Sequence, residues 1–371
     1  MNALAEIIRA EAARRGVLPF TRFMELALYH PELGYYETEK NSPGRRGDFY
    51  TSVSTGELFG HLLAFQFSEW LAGIKAFHPQ IKTLHLIEAG AHDGTLASDI
   101  LKWLQSAQPD LFAQIEYRII EPSPRRQQWQ KETLRPFAPR VRWFPCFTDL
   151  PVLRSSGIIF SNELLDAFPV QRFGWDAKNK NWFEWGVAAE RGKFIWTRMP
   201  QTHDTSHITR HLPRLPHLPA ELLDVLPDGY TIEASPAAEK WWRQAAGVLD
   251  HGWVLTVDYG LTSGELFVPG RARGTLRSYS RHRAGDDMLA NPGEQDITAH
   301  VNFSVIRNAG QEAGLITEFF GSQAEFLVEI LANAAKTNAL GEWDSARTRQ
   351  FQTLTHPEHL GRAFRVLVQT R

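Results

Sequence analysis

Apolar positions at Leu4, Ile7, Ile8 and Ala12 recur at helical spacing, and a second helical run from Thr21 to Tyr29 stops at His30-Pro31. From Gly34 to Gly56 the chain turns to Gly, Ser, Pro, Asn and Thr, which predicts a long loop before a helix from Glu57 to about Ile74. Beyond Pro79 the pattern alternates regularly: a strand at Leu84 to Ala89, a helix at Thr95 to Gln105, a strand at Ile115 to Glu121 and a helix at Pro124 to Leu134. Two short strands follow, Val141 to Phe144 and Ile158 to Asn162. This is the βαβ rhythm of a doubly wound, parallel α/β sheet.

The register changes between Val170 and Pro200. Trp175, Trp182, Phe183, Trp185, Phe194 and Trp196 sit in short alternating runs broken by polar turns, which predicts an antiparallel insertion. His203 to Pro219 reads as a loop, and its histidines lack the acidic or Cys companions of a metal site. The alternation then resumes with a helix at Ala237 to Leu249, a strand at Trp253 to Asp258 and a helix at Thr298 to Ala313. A strand at Leu315 to Phe320, a helix at Gln323 to Asn338 and a strand at Phe364 to Thr370 complete it. Seven strands are expected in the main sheet, the last two pairing so that an antiparallel strand lies at its edge. The expected division is a helical region and covering loop at 1–78, then a domain at 79–371 with the Trp-rich β insertion at about 170–230.

Composition narrows the function. With 371 residues, 43% apolar and 22% charged, the chain can bury a large core. Forty Lys and Arg against 42 Asp and Glu give no overall field toward nucleic acid or anionic lipid. The lone Cys146 lies in a short apolar stretch expected to be packed interior, and a single cysteine fits a reducing compartment. No apolar run reaches the length of a membrane span, and Met1 to Gly16 lacks the apolar region of a signal peptide, so a cytoplasmic location without membrane insertion is expected.

The chemistry concentrates at strand ends. Leu86-Ile87-Glu88-Ala89-Gly90-Ala91-His92-Asp93-Gly94-Thr95-Leu96 joins the first strand to its helix, with Gly90 allowing a tight turn and Gly94 letting the helix start close to a ligand. A pyrophosphate-binding turn would prefer glycine at His92, and Glu88 would repel a diphosphate, which weighs against a nicotinamide dinucleotide. A carboxylate there suits a ligand with ammonium and sulfonium centres, as in S-adenosylmethionine. Glu121, at the tip of the second strand, stands where this architecture bonds ribose hydroxyls. Asp149 and Leu150 follow the third strand, where a side chain can meet the adenine. The next strand ends in Asn162-Glu163-Leu164-Leu165-Asp166, polar groups facing the crevice that can orient a nitrogen nucleophile.

Further motifs are spread along nearly the whole chain: Phe23-Met24-Glu25-Leu26-Ala27-Leu28-Tyr29 with Gly34-Tyr35-Tyr36, Gly47-Asp48-Phe49 with Thr51-Ser52, Gly94-Thr95-Leu96, and Asn162-Glu163 with Asp166-Ala167 and Pro169. They continue through Asp258-Tyr259-Gly260, Gly274-Thr275-Leu276-Arg277 and Asp296-Ile297-Thr298-Ala299-His300-Val301. In this order the sequence resembles the MidA-like methyltransferases. The resemblance implies a seven-stranded, Rossmann-like class I methyltransferase that uses S-adenosylmethionine, with the Gly47 to Ser52 loop closing over the cofactor. For a mitochondrial member it implies dimethylation of an arginine in a respiratory complex I subunit. Three departures from the pattern stand out: Ala91-His92 replaces Pro-Gly, Ser54 stands where Glu is common, and Asn302 replaces a frequent Asp.

A guanidinium is protonated and delocalised at neutral pH, so carboxylates must orient it. Glu163 and Asp166 are the candidates for that task, Asn162 for orientation, and Asp258 and His300 for an outer role. No metal is required. The rival readings are a catalytically silent scaffold for a respiratory-chain partner, motivated by the three departures, and a small-molecule or RNA methyltransferase.

Overall fold

The alternating apolar runs build a mostly parallel sheet because its inner strands are covered by helices on both faces. The computed structural model describes residues 2–38, 51–151, 155–200, 220–280, 283–285 and 287–371. Helices α1 (Ala3–Arg15) and α2 (Phe20–Tyr29) flank a short strand β1 (Leu18–Pro19), and α3 (Leu58–Phe77) follows. Then come β2 (Leu84–Ala89), α4 (Thr95–Ala107), β3 (Ile115–Ile120), α5 (Pro124–Thr133), β4 (Val141–Phe144) and β5 (Ser155–Asn162). The insertion supplies β6 (Gln171–Asp176), β7 (Asn181–Glu190), β8 (Lys193–Arg198) and β9 (Thr231–Ala234). Helix α6 (Pro236–Val248) runs directly into β10 (Leu249–Leu261). Short strands β11 (Arg277–Ser280), β12 (Arg283–Gly285), β13 (Asp296–Thr298) and β14 (Val301–Asn302) lead to α7 (Phe303–Glu312). Strand β15 (Ile316–Ser322), α8 (Gln323–Lys336), α9 (Ser345–Thr355) and β16 (Phe364–Thr370) complete the order.

The main sheet runs β15-β16-β10-β5-β2-β3-β4, with β14 added beside the end of β10. All six residues of β2 are buried, as a strand between two helical layers requires. Helices α3, α4 and α8 cover one face through Phe59, Leu63, Ile100, Leu104 and Leu327. Helices α6 and α7 cover the other through Trp242, Ala245, Phe303 and Ile306. The insertion is antiparallel throughout, ordered β1-β7-β6-β9 with β8 also on β7, and α1 and α2 pack on it through Ile8, Phe20, Phe23 and Val187. Strands β12-β11-β13 form a third small sheet.

Several sequence expectations change. The helix expected from Thr298 starts at Phe303, because Thr298 pairs with Arg277 in the small sheet and Asn302 supplies the cap, its Oδ1 accepting from Val305 N–H at 3.3 Å. The antiparallel strand is β16, which lies second from the edge between β10 and β15. Strand β10 is longer than Trp253 to Asp258 at both ends. Cys146 is half-exposed, its Sγ 3.0 Å from Thr148 Oγ1, where a packed interior was expected. The His203 to Pro219 stretch lies outside the described residues.

At the centre of the sheet Gly157 on β5 faces Gly252 on β10, with φ of +147° and +130°. A Cβ at Gly157 would lie 2.0 Å from the carbonyl oxygen of His85. Gly157→Ala is therefore expected to destabilise the fold by about 3 kcal/mol or more. A urea midpoint equal to that of the wild type would contradict this close packing.

Candidate active site

The carboxyl ends of β2, β5 and β10 open onto a cavity of about 670 Å³, within the range of small-molecule sites. The β2–α4 turn forms one wall, and Gly90, His92 and Gly94 all take left-handed φ values of +72°, +47° and +85°. Gly90 is required there, because a Cβ would sit 2.7 Å from Leu164 Cδ1. His92 meets the same conformational demand without being glycine, and its carbonyl accepts from Gln130 Nε2 at 3.0 Å. The departure at position 92 thus keeps the turn at the cost of local strain.

Glu88 lines the cavity and is almost fully buried, and Tyr117 Oη donates to its Oε2 at 2.7 Å. Burial pushes the Glu88 carboxyl up to about 7, with the Tyr117 bond holding it back. Leu96 and Thr51 also face the cavity, whereas Gly94 and Thr95 stand behind the wall. Gly47 and Asp48 lie outside the described residues.

Like Gly94, Thr95 and Ser52, the expected cofactor contacts Glu121, Asp149 and Leu150 are not among the residues lining the cavity. Glu121 is buried at the end of β3, where its Oε1 accepts from Ser123 N–H at 2.9 Å and its Oε2 from Gln130 Nε2 at 3.1 Å. Asp149 is exposed and Leu150 joins the core under α6. Proximity to a strand end was right for each, but the local turn bends them aside. Arg126, one turn into α5, faces the cavity instead.

At the end of β5 the acceptor candidates do come together. Glu163 has φ +51°, an uncommon conformation for a side-chain-bearing residue and one that turns it out of the strand direction. Its Oε1 accepts from Ser52 N–H at 3.1 Å and from Asn162 Nδ2 at 3.0 Å. Both donors meet one carboxylate oxygen. Burial raises the Glu163 carboxyl to about 7, against the lowering effect of those bonds. Asn162 Oδ1 faces inward with no hydrogen-bond donor among the described residues.

Asp166 sits in the 3-10 turn Leu165–Ala167 and lines the cavity. Asp258, fully buried on β10, does not. Its Oδ2 accepts from the N–H groups of Leu164 and Leu165 at 3.1 and 2.7 Å, and its Oδ1 from that of Tyr259 at 2.8 Å. Asp258 is therefore a positioning residue that fixes the 163–166 turn. Burial and the adjacent Asp258 charge hold Asp166 well above the usual carboxylate range. His300 faces the cavity, and burial with Arg277 and Arg271 nearby lowers it to about 4, leaving a neutral imidazole at pH 7.

The other two departures have local explanations. Ser54 Oγ donates to Thr51 carbonyl at 2.8 Å and accepts from Thr51 N–H at 2.9 Å, closing its own turn, and Asn302 caps α7 as an Asp would. The sequence reading missed the tyrosines of the far wall, Tyr29, Tyr36, Tyr259 and Tyr279, along with Asp296 and Arg277. Several lie inside the motifs carrying the family resemblance, but only the small sheet and α2 bring them to one place.

A carboxylate near the end of the first strand, beside the glycine turn, a second polar strand end and the cavity they line define a methyl-transfer site of the S-adenosylmethionine type. A family model of S-adenosyl-L-methionine-dependent methyltransferases matches residues 62–321. The chain is 26% identical to the mitochondrial protein arginine methyltransferase NDUFAF7 homolog of Drosophila melanogaster, covering 99% of this chain and 84% of that one. It is 27% identical to the mitochondrial protein arginine methyltransferase NDUFAF7 of Danio rerio, over 94% and 82%. A Burkholderia thailandensis protein, crystallised with S-adenosyl-homocysteine, superposes with a TM-score of 0.82 at 32% identity, covering 100% of this chain and 92% of that one. The chain belongs to the MidA-like family of S-adenosylmethionine-dependent methyltransferases.

S-adenosylmethionine is the cofactor, and the residues lining the cavity fit it: Glu88 would face its cationic end, and Asn162 Oδ1 and Arg126 Nη2 are buried polar atoms with no hydrogen-bond partner among the described residues. Bound there, the cofactor supplies a methyl group on a sulfonium. Because Glu88 is half-protonated near pH 7, cofactor affinity should fall below that pH, by up to tenfold per unit if ionisation is required. In Glu88→Gln the slope should shrink and affinity should be weak throughout, as read by calorimetry from pH 6 to 8; a flat wild-type profile would remove Glu88 from this role. His92→Gly should raise stability by roughly 0.5–1 kcal/mol, because glycine adopts left-handed φ without strain. A lowered melting temperature would show that the imidazole contributes more than its backbone costs.

Proposed function

We propose that this chain transfers a methyl group to an arginine side chain of a protein, with a respiratory complex I subunit as the acceptor protein implied by the family resemblance. The observation that carries the reading is the Glu163 carboxylate, which lines the cavity and is held on one oxygen by Ser52 N–H and Asn162. Relatives over nearly the full length carry the name protein arginine methyltransferase, which supports the same acceptor.

The chemistry follows from charge. The reacting guanidinium nitrogen gains a methyl and must lose a proton for its lone pair to be available. Glu163, whose carboxyl burial raises to about 7, is placed to orient the guanidinium and accept that proton. Asn162 fixes the carboxylate plane, and Asp258 fixes the turn that carries both Glu163 and Asp166. Neutral His300 adds no positive charge that would repel a cationic acceptor.

A silent scaffold gains nothing from the three departures, since each preserves the turn or cap its position requires. Glu163→Gln should leave cofactor affinity within about threefold and lower methyl transfer by roughly 10²–10³-fold. Mass spectrometry of the proteome with and without the gene reads the acceptor; loss of a methyl mark on lysine, carboxylate or RNA, with arginine marks unchanged, would refute the arginine assignment.

A further inference from the structure

Beside the mouth of the cavity the short turn Tyr35–Glu37 and its neighbour Thr38 cross from the end of α2 to the start of α5. The crossing is tied down at several points. Ser123 Oγ donates to Glu37 Oε2 at 2.7 Å, Arg125 Nη1 donates to the Glu37 carbonyl, and Arg126 Nε donates to the Tyr36 carbonyl at 3.1 Å. The Arg126 guanidinium also lies over the Tyr36 ring, 4.8 Å from its centroid, and Tyr36 Oη donates to Oδ1 of Asp296, another residue lining the cavity, at 2.8 Å.

These contacts use Nε and the face of the Arg126 guanidinium. They leave Nη2, which is buried and has no acceptor among the described residues although the side chain lines the cavity. A charged donor removed from water and left unpaired is unfavourable, and a ligand oxygen would relieve it. Glu121, the acid that this fold would ordinarily offer to a ribose, accepts from Ser123 N–H and Gln130 Nε2 and is not among the residues lining the cavity. Arg126 stands at the same strand end.

We infer that Arg126 is a cofactor-binding residue whose Nη2 donates to a ribose hydroxyl oxygen, and that the same guanidinium thereby fastens the Tyr35–Thr38 strap over the bound nucleoside. The methionine carboxylate is the competing oxygen source, but the Glu88 wall on β2 takes the cationic amino-acid end, while Arg126 belongs to the β3 end. Through the Tyr36 hydroxyl the fastened strap also fixes Asp296, so the cofactor should bind before the acceptor.

The test uses the full chain with two probes, S-adenosylhomocysteine and 5′-methylthioadenosine, which shares the nucleoside and lacks the amino acid. Arg126→Gln should weaken both by about tenfold or more in calorimetry, the loss of a charge-assisted bond, and Arg126→Lys should fall between it and the wild type. In the wild type, S-adenosylhomocysteine should slow chymotryptic cleavage at Tyr35 and Tyr36, and Arg126→Gln should lose that protection. Unchanged affinity for both probes would overturn the assignment. Weakened S-adenosylhomocysteine with unchanged 5′-methylthioadenosine would overturn it in favour of the carboxylate, and absent protection in the wild type would overturn the strap. If Arg126→Gln does not fold, Arg126→Lys decides alone: affinity for both probes within error of the wild type overturns the proposal.

Discussion

The site depends on burying carboxyl groups without enough cations to match them. Glu88, Glu163, Asp166 and Asp258 lie at the ends of three neighbouring strands, and burial raises every one above its value in an unfolded chain. Between the unfolded and folded values the folded protein holds more protons, so these groups lose stability for the fold as pH rises through that window. The unliganded site is therefore uncomfortable at neutral pH. A cofactor carrying net positive charge at its reactive end is the natural remedy, whereas its neutral thioether product relieves less, which favours release after transfer.

Rigidity at the same place comes from backbone groups more than from side-chain pairs. Asp258 gathers the N–H groups of Leu164, Leu165 and Tyr259, and the neighbouring Glu163 is held in a left-handed conformation it would not choose alone. The cost of that conformation is offset by the bonds converging on the turn. Glu163 reaches a direction that an extended strand end would deny it.

Much of this was legible in the chain because parallel-sheet strands and their helices leave strong local patterns. The β2–α4 turn, Glu88, and the Asn162-Glu163 end of β5 were readable from residue type and position alone. What escaped depends on long-range pairing. Strands β11 and β13 are only four and three residues long, too brief to read, yet they carry Arg277, Tyr279 and Asp296 to the cavity. Glu121, Asp149 and Leu150 stand off the cavity wall for a different reason: strand ends are predictable to a residue or two, but the side-chain direction in the following turn is set locally, as where Glu121 accepts from the N–H of the capping Ser123. The helix expected at Thr298 yielded to the same kind of cap at Asn302.

Strand β16 sits inside the main sheet, bonded to β10 on one side and β15 on the other. During synthesis, β10 and β15 leave the ribosome with a gap between them that only Phe364–Thr370 can fill. Until then β15 has no partner and β10 presents an open hydrogen-bonding edge, a species prone to self-association. Closure of the sheet is thus postponed until Phe364–Thr370 has been translated, and a nascent chain released before that point would be a matter for chaperones rather than for catalysis.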